Sequence, residues 1–287
     1  MAVDSLQTFL QLLITGLSLG FLYAMLGLGI TLVFGLGGIL NLAIGVFMIL
    51  AILIVFELIG SVPLLIAMII ALILVAALGF GIERTIFQLV YRSEGEERLL
   101  LGIFVTLGLA FAMEGALALR YSGDYTIPYR LTSYNLAGIT IRGSSVVIIA
   151  SSIVVLFLMY LFFSRTDAGL ATRTIMQDET GAVLCGIDVE RIRMSIWVLS
   201  VTIAAFAGLL WGLAFSQNVG FTFELTTIAI VVSIVGGMTS IVGVIIAGLA
   251  LGILSTFITF YLSTYFAAIS LFLIAIIVLL VKPEGLA

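Results

Sequence analysis

Glu114 is the most deeply placed ionisable residue in the apolar part of this sequence, five residues before the end of an apolar run at about 99–119. A charge at the centre of a membrane helix costs ~2.5–3.5 kcal/mol on insertion scales, so such residues face protein or water. Two roles fit it: a carboxylate near the interface, solvated or paired with Arg120, or a wall of a translocation path. Glu57, near the end of another run, reads as interfacial. Asn41 stands between two apolar runs, in Phe34-Gly-Leu-Gly-Gly-Ile-Leu-Asn41-Leu-Ala-Ile-Gly45. Its amide either bonds backbone freed at the Gly-rich break or lines a substrate path. A second break, Gly236-Gly237-Met238-Thr239-Ser240, follows a short apolar run. Broken backbone at membrane depth survives only where protein or a wet cavity covers it. Asn41, Glu114, Gly236 and Gly237 are therefore the candidates for a translocation path.

Covalent chemistry is not indicated. The chain has no histidine and a single cysteine, Cys185, so it offers no His relay, internal disulfide or multi-Cys metal site. Its only lysine, Lys282, precedes Pro283, so no G-x-x-x-x-G-K-[ST] phosphate loop exists. No paired carboxylates, nucleophile–base couple or metal cluster is visible. We therefore expect no catalytic residue, no metal and no cofactor on this chain. It reads as a non-enzyme that does not bind nucleic acid.

The elements that would position these residues are membrane helices. Of 287 residues, 63% are hydrophobic and only 9% charged, against roughly 25% charged in soluble domains. Apolar runs fall at about 8–34, 39–59, 62–81, 99–119, 146–163, 195–217, 226–238, 241–262 and 266–281. Each full run matches the ~20 residues needed to cross a bilayer, and none alternates as a membrane barrel strand would. The N-terminus lacks a basic region before its apolar stretch, so that stretch reads as the first span, not a signal peptide. At 27 residues, the first run either tilts or leaves its Gly27/Gly29 end outside the membrane. The 226–238 run gives only ~20 Å of helix. It fits either a broken half-helix beside a path or a short tilted helix ending in a surface turn. We expect an all-α polytopic membrane protein with about eight transmembrane helices (eight to nine crossings), forming one permease domain over 1–287.

Charge sets the orientation. Polar segments lie at 82–98, 120–145 and 164–194. The first and third share a side, because two spans separate them. With Lys282 that side holds eight basic residues (Arg84, Arg92, Arg98, Arg165, Arg173, Arg191, Arg193, Lys282) against three (Arg120, Arg130, Arg142). The positive-inside rule makes it cytoplasmic. The N-terminus is then outside, 120–145 faces outward, and the C-terminus is cytoplasmic if 226–238 counts as a crossing. Small residues recur at four-residue spacing in Gly16/Gly20/Ala24, Gly108/Ala112/Ala116, Ala204/Gly208/Gly212 and Gly248/Gly252. Such ladders let helix backbones approach closely in lipid, within the chain or against a partner. No internal repeat is evident.

The 164–194 segment is more than a tether. Asp167, and Asp178 with Glu179, are helix-start signals, and Gly186 suits a helix end. A short helix carrying Ala182, Val183 and Ile187 would show an apolar patch, suited to a partner's groove or to the chain's own bundle.

At this point the chain resembles the inner-membrane permeases of branched-chain amino acid ABC importers, of the LivH type. Gly20-Phe-Leu-Tyr23-Ala24-Met-Leu-Gly27-Leu-Gly29 and Asn41-Leu-Ala-Ile-Gly45 resemble the family's opening spans. Gly169, Arg173, Asp178, Ala182, Gly186 and Ile187 match its ATPase-coupling loop. Val235-Gly236-Gly237-Met238-Thr239-Ser240 resembles its later turn, and Lys282-Pro283-Glu284-Gly285-Leu286 its ending. There are departures: Ala43-Ile44-Gly45 stands where Ala-His-Gly is frequent, and the E-A-A-x-x-x-G loop pattern becomes Thr180-Gly181-Ala182-x-x-x-Gly186. The resemblance implies a type II-like ABC importer permease in the inner (plasma) membrane. It also implies a second permease (LivM-like or a copy of this chain), two ATPase subunits carrying ATP-Mg and an extracytoplasmic substrate-binding protein. Related permeases carry urea or short amides instead. A stand-alone secondary transporter or channel is the other alternative and would need Glu114 for ion coupling.

Overall fold

The computed structural model describes residues 2–93, 95–129, 132–136, 139–282 and 285. Arg130 of the outward basic count, and Pro283, Glu284 and Leu286 of the C-terminal motif, lie outside the described residues. The helices are α1 (Ala2–Gly37), α2 (Ile44–Leu58), α3 (Leu64–Ile82), α4 (Gln88–Val90), α5 (Gly95–Ala118) and α6 (Gly143–Arg165). They continue with α7 (Asp167–Gln177), α8 (Glu179–Leu184), α9 (Val189–Ala214), α10 (Thr222–Gly236), α11 (Ile241–Tyr261) and α12 (Thr264–Val281). A π-helical turn, Glu83–Phe87, joins α3 to α4, and a 3₁₀ turn, Val219–Phe221, leads into α10. One antiparallel pair, β1 (Tyr134–Leu136) and β2 (Ile139–Ile141), sits in the 120–145 loop. Eight of the described helices are long and apolar enough to cross a membrane, and Ile44–Leu58 is a shorter apolar ninth. The chain is an all-α polytopic membrane protein.

Contacts fix which ends of the helices lie together. At one end Gln11 Nε2 donates to the Thr140 carbonyl at 2.9 Å. Arg120 meets Glu57 there at 3.1 Å, and Tyr125 exchanges backbone bonds with Gln217 at 2.7 and 2.8 Å. At the other end Glu179 joins Arg98 and Arg193, Gly35 faces Met176 and Thr239, and Gly285 lies on Gly237. The 38–58 segment, with α2 as its helical part, runs from the second end to the first, and α10 runs back from the first to the second. Residue 11 and residue 282 consequently lie at opposite ends of the bundle.

The structure narrows two readings of the apolar runs that the sequence leaves open. The 39–59 run is broken near its start, and the 226–238 run belongs to a helix that begins earlier, at Thr222. Gly38 takes φ +62°, helix resumes only at Ile44, and the 15-residue α2 spans ~22 Å. With its leading turn, α10 forms an 18-residue candidate span, Val219–Gly236. The threonines that made its start look polar return their hydroxyls to the helix: Thr226 Oγ1 donates to the Thr222 carbonyl at 3.0 Å and Thr227 Oγ1 to Phe223 at 2.7 Å. In α1, Gly27 and Gly29 are inside the helix, packed on Val232, Val244 and Ile44. Its extra length lies at the N-terminal end, where Gln11 reaches the strand pair.

The core forms around α1 and α9. Three of the four small-residue ladders are used within the chain. Gly20 faces Gly252 and Leu249, and Ala24 faces Gly248, so α1 and α11 touch backbone to backbone. Gly208 faces Met48 and Gly212 faces Ile52, bringing α9 onto α2. The fourth ladder is open: a Cβ on Gly108 would meet nothing within 4 Å, and Ala112 and Ala116 are exposed.

Candidate functional site

The 164–194 segment folds into two short helices bound to the bundle end. Thr166 begins α7, its Oγ1 accepting from the Gly169 N–H at 3.0 Å. Gly169 is obligatory at this corner, because a Cβ would run into the Phe162 carbonyl and Phe163 Cα. Asp178 is extended between α7 and α8. α8 ends as its sequence indicated. The Ile187 N–H reaches the Ala182 carbonyl at 3.0 Å, the Gly186 N–H reaches Val183 at 2.9 Å, and Gly186 takes φ +82°. Helix ends of this kind favour glycine, which has no Cβ to oppose a left-handed conformation.

The apolar patch differs in detail from expectation. Ala182 is fully buried and Ile187 half-buried, so both hold α8 to the bundle. Val183 at 56% and Leu184 at 83% exposure form the outward face. A cavity of about 430 Å³ beside them is lined by Gly95, Arg98, Glu179, Thr180, Val183 and Leu184. Arg173 and Asp178 are exposed nearby.

Glu179 anchors α8. Its Oε2 accepts from Arg193 at 2.5 Å and from Arg98 at 3.2 Å. Arg98 Nε also donates to the Ser93 carbonyl at 2.8 Å. The Arg193 guanidinium lies 4.6 Å from the Tyr91 ring centroid, and Tyr91 abuts Gly37 at the end of α1. Burial pushes the Tyr91 phenol well above its usual range, against the lowering pull of Arg193, so it stays neutral. One carboxylate thus ties α8 to α5 and α9, and through Tyr91 to α1. Sequence reading counted Arg98 and Arg193 only as basic residues and Glu179 only as a helix-start signal. Their pairing spans 81 and 14 positions, which no local pattern reveals.

At the 38–43 break, Asn41 is fully buried, and its Oδ1 accepts from the Ala43 N–H at 3.0 Å. Its Nδ2 has no hydrogen-bond partner among the described residues, and threonines bond the backbone on either side. Thr106 Oγ1 donates to the Leu40 carbonyl at 3.0 Å, and Thr226 Oγ1 accepts from the Gly45 N–H at 3.0 Å. Gly45 permits that approach, since a Cβ would strike the Thr222 carbonyl. Gly236 and Gly237 form the buried turn between α10 and α11, with Gly237 at φ +98°.

Glu114 is half-buried on α5. Arg120 pairs with Glu57, which also accepts from Tyr121 Oη at 2.9 Å, so the Arg120 partner is Glu57 and not Glu114. Glu114 is also not the most buried carboxylate. That is Glu83, at 0% exposure in the π-helical turn, with no hydrogen-bond partner for either oxygen among the described residues. The hydropathy boundary at residue 81 had assigned it to the polar 82–98 segment.

A model of the branched-chain amino acid transport system permease component matches residues 12–281. The chain is 30% identical to the high-affinity branched-chain amino acid transport system permease protein LivH of Salmonella typhimurium, over 97% of this chain and 95% of that protein. It is 28% identical to the corresponding permease BraD of Pseudomonas aeruginosa, with the same two coverages. A probable LivH of Methanocaldococcus jannaschii is 37% identical over 49% of this chain and 48% of its own length. The chain therefore belongs to the family of branched-chain amino acid transport permease components.

Proposed function

We propose that this chain is the membrane permease subunit of an ATP-driven importer for branched-chain amino acids. Its α7–α8 end faces the cytoplasm, following the eight-to-three basic count. An ATPase subunit receives Val183 and Leu184 in an apolar groove. ATP-Mg binds on two such ATPases and not on this chain. A second permease, LivM-like or a copy of this chain, packs on the open α5 ladder. An extracytoplasmic binding protein delivers substrate at the β1–β2 end.

The observation that carries the reading is α8 itself. It is short, firmly anchored through Glu179 and Ala182, and yet presents two large apolar side chains to water. An apolar pair on a rigid mount transmits force; the same pair on a tether would not. Closure of the ATPase dimer would move α8, and the Arg98–Glu179–Arg193 contacts would pass that motion to α5 and α9.

The test is transport by the full complex in proteoliposomes. Leucine uptake should require ATP and the binding protein, and both leucine and the binding protein should raise ATP hydrolysis. Uptake driven by membrane potential without ATP, or hydrolysis that stays flat, would overturn the reading.

A further inference from the structure

A cavity of about 420 Å³ opens between α1, α10, α11 and α12, on the half of the bundle nearest the β1–β2 end. Its volume lies within the usual range of small-molecule sites, ~300–1,000 Å³. Its deep wall is closed, because α1 and α11 touch at Gly20 and Gly252. Tyr23, only 4% exposed, stands on that wall, and Ser255 lines the same cavity.

The lining divides into three chemically distinct parts. Glu224, exposed in the first turn of α10, supplies an acidic group. Thr264 and Tyr265 also line it and begin α12, an 18-residue helix whose N-cap makes no side-chain bond to its first N–H groups. Free N–H groups at a helix start attract a carboxylate. One to two turns further along the two helices, Ile228, Val231 and Leu271 add an aliphatic floor. An acid for an ammonium, a helix start for a carboxylate and an aliphatic floor together describe an α-amino acid with an apolar side chain.

We infer that this cavity is a substrate-binding station on the translocation path, holding an aliphatic amino acid by its ammonium at Glu224 and its carboxylate at the start of α12. The inference rests on the importer reading above and adds to it the residues that touch substrate. A lipid tail would offer the Glu224 carboxylate no partner, at a cost that lipid-facing sites avoid. The location agrees. Phe111 of α5 stacks on Phe223, the residue before Glu224, with centroids 5.8 Å apart, which brings α5 against the start of α10. A second permease packed there would close the cavity's outer side, where Tyr265 and Phe272 are exposed.

The probe is leucine bearing a photoreactive diazirine, applied to the purified complex and followed by peptide mapping. Label should fall within 224–231 and 264–272 and be displaced by isoleucine. Glu224→Gln should raise the KM for leucine uptake roughly tenfold or more, as expected for a lost charge-assisted hydrogen bond, with the complex still assembled. Leu271→Trp should fill the floor and cut both labelling and uptake; Ala268→Leu narrows the same wall if the tryptophan variant does not accumulate. Normal leucine uptake by both variants, or label confined to other helices, would overturn the station while leaving the importer reading intact. Absence of leucine, isoleucine and valine uptake by the unaltered complex would overturn both.

Discussion

Arg193, whose side chain is 7% exposed, donates to the Glu179 carboxylate at 2.5 Å across the α8–α9 corner. Arg98 approaches the same oxygen, so Glu179 separates two guanidinium groups as well as binding them. Removing it leaves a buried cation unpaired beside a second cation. Breaking a buried pair from one side costs about 3–5 kcal/mol, and the half-exposed position of Glu179 reduces that figure. Glu179→Ala is therefore expected to release α8, lowering leucine uptake more than roughly tenfold and reducing co-purification of the ATPase subunits. Glu179→Asp should recover part of both. Wild-type uptake in Glu179→Ala would show that the corner is not part of the coupling route.

Gly186 separates backbone strain from steric obstruction. A Cβ there meets nothing within 4 Å, yet φ is +82°. Gly186→Asn should be tolerated, because asparagine enters the left-handed region readily. Gly186→Ala should cost about 1 kcal/mol locally, and Gly186→Leu should uncouple transport strongly by also obstructing a docked partner. Arg173→Ala, at an exposed rim, should weaken uptake only modestly, since such pairs are worth ~0–1 kcal/mol. Uptake and ATPase retention measured on all four variants give the ranking. Equal loss in Gly186→Asn and Gly186→Leu would point away from docking and towards simple unfolding of α8.

Topology can be read with the native cysteine. Cys185 is the chain's single cysteine and is exposed at the end of α8. An impermeant maleimide should leave it unmodified in intact cells and label it in inside-out vesicles. Ser133→Cys in a Cys185→Ser background should show the reverse, since Ser133 is exposed in the 120–145 loop. Thr172 would make a poor reporter on the α7 side, being buried. Labelling of Cys185 from outside would invert the orientation and remove the cytoplasmic docking surface with it.

Most of the helical layout was legible because burial in lipid is written as long apolar runs, and each long run in this chain except 39–59 became a helix over most of its length. Runs fail where backbone chemistry outweighs hydropathy. Gly38 and Asn41 interrupt an apolar stretch, whereas the threonines of α10 continue one by bonding their own helix. The α8 end was legible because a C-cap is a local device of a few residues. The Arg98–Glu179–Arg193 cluster, the burial of Glu83 and the three-part cavity lined by Glu224 depend on segments brought together from distant parts of the chain. Counting charges per loop gives an orientation and says nothing about which carboxylate meets which guanidinium.

The four small-residue ladders offer a final, comparative prediction. Gly208 and Gly108 are both helical glycines at four-residue spacing from other small residues, and sequence treats them alike. In the fold they differ. A Cβ on Gly208 would sit 2.6 Å from the Met48 carbonyl oxygen, whereas one on Gly108 meets nothing within 4 Å. Gly208→Leu should force α9 off α2 and sharply reduce the amount of folded protein in the membrane. Gly108→Leu should leave the isolated chain folded, because its surroundings within the chain are open. If the α5 ladder serves close packing against a second permease, as small-residue stripes do in lipid, Gly108→Leu should instead reduce co-purification of that subunit, and uptake with it. Detergent melting of the isolated chain, measured beside pull-down of the second permease, distinguishes the two effects. A Gly108→Leu variant that assembles and transports normally would mean that α5 faces lipid and that the second subunit packs elsewhere.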